Sequence, residues 1–243
     1  MLEVNDWMLL NAITYKIQLI DDFSEMRMMV IKQMKNFFDF DSASFYIADS
    51  SGHLSEPLGI GYAKSDMDLY LNVFQSIDYS KGLMDSGKNI AYRETDIISD
   101  KQRTQTEYYK KVYAIQGWHY SLHLNLSFNE QFLGVLSFFR QKDKSNFTHD
   151  DIFILDVLKD HLALRLYREN TSGQSTINCS RLSHKYKLTP QESTVLQYIA
   201  SGKTNTEIAV ILVISQSTLK KHILNIYKKT DVNSKLQLLS LIH

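Results

Sequence analysis

Two prolines, nine glycines and one cysteine are spread over 243 residues. So little proline and glycine excludes a collagen-like or low-complexity chain. The lone Cys179 can neither close an intramolecular disulfide nor supply a cysteine-rich zinc cage, which predicts a reducing, cytoplasmic setting. Long apolar runs are missing as well. The longest, Ile208 to Ile214, falls far short of the roughly 20 residues that cross a bilayer. Glu3 and Asp6 stand where a secretory leader would be basic, so no membrane partner is expected. Glycine-rich phosphate loops, zinc-ligand spacings and nucleophile elbows are absent, which predicts a protein that is not an enzyme and needs no cofactor. His119 and His123 cannot share a metal ion on one strand, because four residues span about 13 Å there.

What the chain does have is enough apolar mass to fold. Its 44% hydrophobic content, with 14 Tyr and 12 Phe, can fill sizeable cores, and the length suits one large or two ordinary domains at roughly 100–200 residues each. The net charge of zero hides an asymmetry. From Arg181 onward nine Lys and Arg face three acids, so the earlier residues carry the matching acidic excess. A basic tail on an acidic body suggests a nucleic-acid-facing module carried by another domain. The polar, aperiodic stretch from Glu169 to Asn178 reads as the joint. The division is therefore residues 1–170, a linker over 171–184, and residues 185–243.

Periodicity in the first part predicts helices over Asp6–Ile20 and Phe23–Phe38, strands at Ser44–Ala48 and near Ile60–Ala63, and a helix over Asp66–Ile77. A strand at Asn89–Arg93 and a helix over Lys101–Ile115 follow. The clearest strand signal is His119–Phe128, where Tyr120, Leu122, Leu124 and Leu126 alternate with Ser121, His123, Asn125 and Ser127. A turn at Asn129-Glu130 makes it a hairpin with Phe132–Phe139. Thr148, with Asp151 three residues on, caps a long helix to Arg168. This order resembles GAF or PAS-like sensor domains, which implies an α/β/α unit with a mostly antiparallel sheet holding a small-molecule effector. Tyr70 and Asp78 echo the tyrosine and aspartate of acyl-homoserine-lactone sensors. With His119 and Ser121 on the polar strand face, they are the candidate ligand residues. A phosphoacceptor receiver is the competing reading, through Asp21, Asp22 and Asp49. The spacing of those residues and the hairpin contradict its parallel sheet.

The basic segment holds a succession of helix starts. Thr189-Pro190-Gln191-Glu192 offers a cap hydroxyl, a first-turn proline and a reciprocal glutamate, and Gly202 supplies the stop. Thr204 and Glu207 repeat the box. Ser215 caps a third helix to about Lys229, and Asn233 a fourth. At about 100° per residue, Lys220, Lys221, Leu224 and Lys228 share a face with Ser217, whereas Leu219, Ile223, Ile226 and Thr230 lie opposite.

Leu188, Glu192, Val195 and Leu196, then Gly202, Asn205, Glu207, Ile208, Ala209, Leu212 and Ile214, then Thr218, Leu219, Lys220, His222, Asn225, Ile226 and Lys229 carry a further likeness. This pattern resembles the DNA-binding domain of LuxR/FixJ-type regulators. The resemblance implies an all-α four-helix, helix-turn-helix domain, and hence an α+β chain overall. Ser217, Lys220, Lys221 and Leu224 would face base edges, and Thr204, Asn205, Thr218, Tyr227 and Lys228 would hold phosphates. His222 would be structural. Leu236, Leu239 and Ile242 would pair two copies on a palindromic site. Val210 and Ile211, apolar and turned away from the inward arc, suggest a docking patch for the sensor domain or RNA polymerase. The resulting expectation is a cytosolic one-component transcription regulator that binds double-stranded DNA as a homodimer under small-molecule control. The alternatives are an acyl-homoserine-lactone-type quorum-sensing regulator and a protein-interaction adaptor that never enters a DNA groove.

Overall fold

Strict alternation in the middle of the chain builds a sheet, and both of its faces turn out to be covered. The computed structural model describes residues 2–49 and 51–242, with the side chains of residues 172–177 outside that description. The chain divides into two compact units, Met1–Tyr167 and Arg168–His243.

In the first unit α1 (Val4–Leu19) and α2 (Phe23–Met34) precede β1 (Ser42–Ala48) and β2 (Leu54–Ile60). Next come α3 (Lys64–Asn72), a 3-10 turn at Phe74–Ser76, α4 (Lys81–Met84) and β3 (Ile90–Arg93). Then α5 (Glu94–Ile97), α6 (Asp100–Arg103), a π turn at Tyr109–Tyr113 and α7 (Ala114–Gln116) lead to β4 (Trp118–Phe128) and β5 (Gln131–Gln141). The sheet order is β2-β1-β5-β4-β3, with every neighbouring pair antiparallel. Phe128 pairs with Gln131 across a two-residue turn, in which Asn129 and Glu130 take φ of 50° and 63°. Positive φ at both positions matches the right-handed twist of the flanking strands.

One sheet face carries Phe45, Leu122, Leu124, Leu126, Leu136 and Phe138 and packs on Ile13 and Ile17 of α1, Val30 and Met34 of α2, and Leu155, Leu158 and Leu162 of the next helix. Each such aliphatic contributes roughly 1.5–3 kcal/mol by leaving water. That helix, α8, begins at the box foreseen from the sequence: Thr148 N–H donates to the Asp151 carboxylate at 2.8 Å, and Asp151 N–H to the Thr148 hydroxyl at 3.2 Å. The opposite sheet face meets the irregular segments through Tyr46, Met67, Tyr70, Met84, Tyr108, Tyr113, Trp118 and Phe139. The polar side of β4 is therefore enclosed, with His119, Ser121, His123, Asn125 and Ser127 all buried.

Several elements depart from the sequence expectation. β2 lies earlier, at Leu54–Ile60, because Gly61 turns the chain at φ 63°. The helix expected over 101–115 is broken where Thr106 Oγ1 accepts from Tyr109 N–H at 3.1 Å and starts a new turn. The helix expected to stop at Arg168 is instead assigned over His149–Lys185. The stretch read as a linker is thus helical. Without apolar period it gives no pattern signal, yet no proline interrupts it.

The second unit adds α9 (Pro190–Ala200), α10 (Asn205–Ile211), α11 (Gln216–Thr230) and α12 (Lys235–Ile242). Cys179 and Leu182 of α8 join Val195, Leu196, Ile199, Ile208, Leu219, Ile226, Leu238 and Ile242 in its core. The capping boxes at Thr189/Glu192 and Thr204/Glu207 are both formed, and Ser215 Oγ accepts from Thr218 N–H at 3.1 Å. The last helix is capped by Ser234, whose hydroxyl accepts from Gln237 N–H at 3.2 Å, and not by Asn233. Ile242 is fully buried in this core and Leu239 packs partly against it. Of the three residues expected to pair copies there, only Leu236 stands exposed, together with Leu241.

Candidate functional site

α11 owes its position to a few apolar anchors. Leu219, Ile226 and Thr230 are buried, and Thr230 Oγ1 ties back to the Ile226 carbonyl at 2.8 Å. The face opposite them is exposed and holds Ser217, Lys220, Lys221, Leu224 and Lys228. The wheel drawn from the sequence is the one the fold adopts. At about 1.5 Å per residue the helix is roughly 22 Å long, and a major groove about 12 Å wide admits it.

Lys220, Lys221 and Lys228 form no ion pair with any described residue. Lys229, one position on, behaves differently. Its ammonium donates to Glu192 at 2.6 Å and to the Lys187 carbonyl at 3.2 Å. Burial works to raise the Glu192 carboxyl, but Lys229 and the Thr189 hydrogen bonds outweigh it and hold the group below its ordinary range. Adjacent lysines thus divide between an open face and a clamp from α11 to α9.

Before α11 the chain turns through Leu212, Val213 and Ile214. Ile214 N–H reaches the Ala209 carbonyl at 3.0 Å and Val213 N–H the Val210 carbonyl at 3.2 Å. Val213 takes φ 54° there, 90% exposed. A surface cleft of about 510 Å³ between the start of α10 and α11 is lined by Asn205, Gln216, Ser217, Lys220, Leu224 and Tyr227. Thr204 and Thr218 do not line it; Thr204 Oγ1 donates to Glu207 at 2.8 Å and Thr218 Oγ1 lies 2.8 Å from Ser215 Oγ. His222 is half-buried and lines a separate cleft of about 200 Å³ with Pro190, Thr194, Leu212 and Ile214. Val210 and Ile211 are exposed.

The first unit contains a second candidate site. Tyr70 Oη donates to Asp78 at 2.8 Å, and Ser80 donates to the same carboxylate through N–H at 2.8 Å and Oγ at 2.7 Å. Burial nevertheless raises the Asp78 carboxyl above its usual range. Both residues line a cavity of about 20 Å³ with Ser44, Tyr62, Trp118, His123 and Ser137. Aromatic side chains fill the space around it: Trp118 stacks on Phe139 at 3.9 Å and meets Tyr62 edge-on at 4.7 Å.

Two of the four ligand residues expected from the sequence do not line this cavity. His119 is held by Tyr109 Oη at 2.7 Å and Asp100 at 3.3 Å. Ser121 accepts from Tyr113 Oη at 2.9 Å and lies 2.9 Å from His123 Nε2. The residue that turns to the cavity is His123, whose Nδ1 lies 2.8 Å from Ser137 Oγ. Behind it Glu94 and Arg103, both buried, pair at 3.3 Å. Strand alternation already placed His123 on the correct face, but which odd-numbered residue reaches the cavity depends on the irregular cover. Among the described residues no group of three or more potential metal ligands comes together, and no helix is long and apolar enough to cross a membrane.

Residues 186–242 match the family described as bacterial regulatory proteins, luxR family, and the second unit is a helix-turn-helix domain of that type. The chain is 46% identical over 67 residues to the uncharacterized response regulatory protein YgeK of Escherichia coli K12, which covers 26% of this chain and 46% of that one. It is 32% identical over 111 residues to the regulatory protein SdiA of the same organism, covering 43% and 42%. It thus spans less than half the length of these curated relatives. The solved structure of SdiA in complex with octanoyl-rac-glycerol shares the fold, with a TM-score of 0.52 at 17% identity over 99% of this chain and 96% of that one.

Proposed function

We propose that this chain is a transcription regulator that reads duplex DNA through α11 and responds to a small molecule held in its first unit. The carrying observation is α11 itself, anchored by Leu219 and Ile226 while Lys220, Lys221 and Lys228 stand exposed without acidic partners among the described residues. Unpaired lysines on one helix face can replace counterions along a phosphate backbone, and lysine can donate to guanine O6 and N7. In this reading Ser217, Lys220, Lys221 and Leu224 meet base edges. Asn205, Tyr227 and Lys228 hold phosphates, Thr204 contributes through the α10 N-terminus that it caps, and Thr218 from the first turn of α11, which Ser215 caps. The domain division is residues 1–170 for sensing and 185–243 for DNA, with the joint inside α8. The protein works in the cytoplasm as a homodimer, with RNA polymerase as a partner.

SdiA, of the same fold, has been solved with octanoyl-rac-glycerol, which supports an amphiphilic effector. A cavity of about 20 Å³ has room for one water, whereas ligand pockets run to about 300 Å³ or more. Effector binding therefore requires the cover that carries Tyr62, Met84 and Tyr108 to move away from Trp118 and Phe139 on the sheet, with Tyr70, Asp78 and His123 supplying the polar contacts.

The test is selection of bound fragments from genomic DNA, with and without cell extract. A shared, palindromic motif is expected. Lys220→Ala with Lys221→Ala should erase preference for that motif while leaving the fold intact by circular dichroism. Unchanged preference in the double variant sinks the proposal and favours an adaptor role.

A further inference from the structure

α1 is apolar on two opposite sides. Leu10, Ile13 and Ile17 are buried in the core, while Val4, Met8, Tyr15 and Leu19 are 76%, 67%, 66% and 55% exposed. At about 100° per residue, Val4, Met8, Ala12, Tyr15 and Leu19 fall within roughly 80° of one another. No charged residue interrupts that arc. A helix with a second apolar side opposite its buried one has surface left for a second partner. Trp7 borders the stripe and meets Phe153 of α8 edge-on at 6.0 Å, and Gln18 donates to the His161 carbonyl at 3.3 Å. The two helices therefore lie side by side, and their outer edges form one surface.

Single exposed leucines need no explanation, but this surface is larger than that. Taking about 150–250 Å² for a whole aromatic side chain, Val4, Trp7, Met8, Tyr15, Leu19 and Phe153 leave on the order of 600–700 Å² exposed. The largest apolar patch of a typical monomer is about 300–600 Å², and a standard interface takes about 800 Å² per partner.

We infer that this surface pairs with its own copy through antiparallel α1 helices. A two-fold contact must be self-complementary, and the residue numbers supply that symmetry. With the axis between Asn11 and Ala12, Val4 opposes Leu19 and Met8 opposes Tyr15 in both directions. The pairing sets a thioether against an aromatic ring and places uncharged residues at the crossing, where helices approach to about 8–10 Å. The uncharged arc offers nothing to an acidic or basic partner, while Asn5 and Lys16 provide a polar rim. This places dimer formation in the first unit and does not rest on the DNA-reading proposal.

Sedimentation equilibrium on the full chain tests it. The parent should be a dimer. Met8→Glu with Tyr15→Glu, both at exposed positions, should weaken pairing by at least about tenfold while the circular dichroism spectrum stays that of the parent. Met8→Lys with Tyr15→Glu should restore pairing, because position 8 faces position 15 only in the antiparallel register. The inference fails if the parent is a monomer at all concentrations, including one that binds lipid vesicles instead. It also fails if Met8→Glu with Tyr15→Glu leaves the dimer intact, if Leu236→Glu alone dissolves it, or if the Lys/Glu combination does not recover it.

Discussion

Asp78 shows how a residue's chemistry is set by its enclosure. Burial raises its carboxyl despite donors from Ser80 and Tyr70. A raised folded-state value means that its contribution to stability is fully present below the ordinary aspartate range near 3.9 and declines as pH rises toward the folded value. Asparagine can keep accepting from Ser80 and donate to Tyr70 Oη without a charge to bury. Asp78→Asn should therefore gain stability on the parent as pH rises above the ordinary aspartate range near 3.9 in denaturant melts, whereas Asp78→Ala should lose about 1–3 kcal/mol by leaving Tyr70 unpaired. A parent and an Asn variant that keep the same difference across that rise would show that enclosure does not raise the Asp78 carboxyl. Lys228 and Lys229 make the complementary point. Neighbours in sequence, they separate into an open cation and a clamp on Glu192 because 100° of helical rotation turns one of them toward α9.

At the scale of elements the turn between α10 and α11 is the strained piece. Val213 is β-branched at φ 54°, a position that glycine fills without a Cβ clash. Its side chain is exposed, so nothing in the core offsets the cost. Val213→Gly should raise the stability of the second unit by about 1 kcal/mol in thermal melts, and a drop would mean that the side chain makes a contact worth more than its backbone strain. The caps of this unit were legible in advance, because Thr189, Thr204 and Ser215 act on groups two or three residues away. The break of the 101–115 helix was not. It depends on Thr106 Oγ1 accepting from Tyr109 N–H, a side-chain bond that competes with the helix, and on Arg103 turning inward to Glu94, and a period of apolar residues shows neither.

For the whole molecule the charge asymmetry becomes a salt dependence. Lys228→Ala should weaken binding to all duplexes alike and lower the slope of log affinity against log salt by about 1. Lys220→Ala should also relax sequence choice by about 1–3 kcal/mol at one base position. Fluorescence anisotropy across salt concentrations separates the two, and identical behaviour would overturn the division between phosphate and base contacts. Pairing was sought in the last helix from the sequence, where Ile242 instead completes the core. The larger unpartnered surface lies on α1, near the opposite end of the sequence.

The amino-acid order alone determined the amphipathic face of α11, the helix starts of the second unit and the β4–β5 hairpin. Each rests on periodicity, on caps spanning a turn, or on a family pattern concentrated in about 55 residues. Tertiary structure decided that the polar side of β4 is enclosed, that His123 and not His119 or Ser121 reaches the cavity, and that α8 continues to Lys185. Those outcomes follow from which segments come to cover a surface, and covering is set by contacts between residues far apart in the chain.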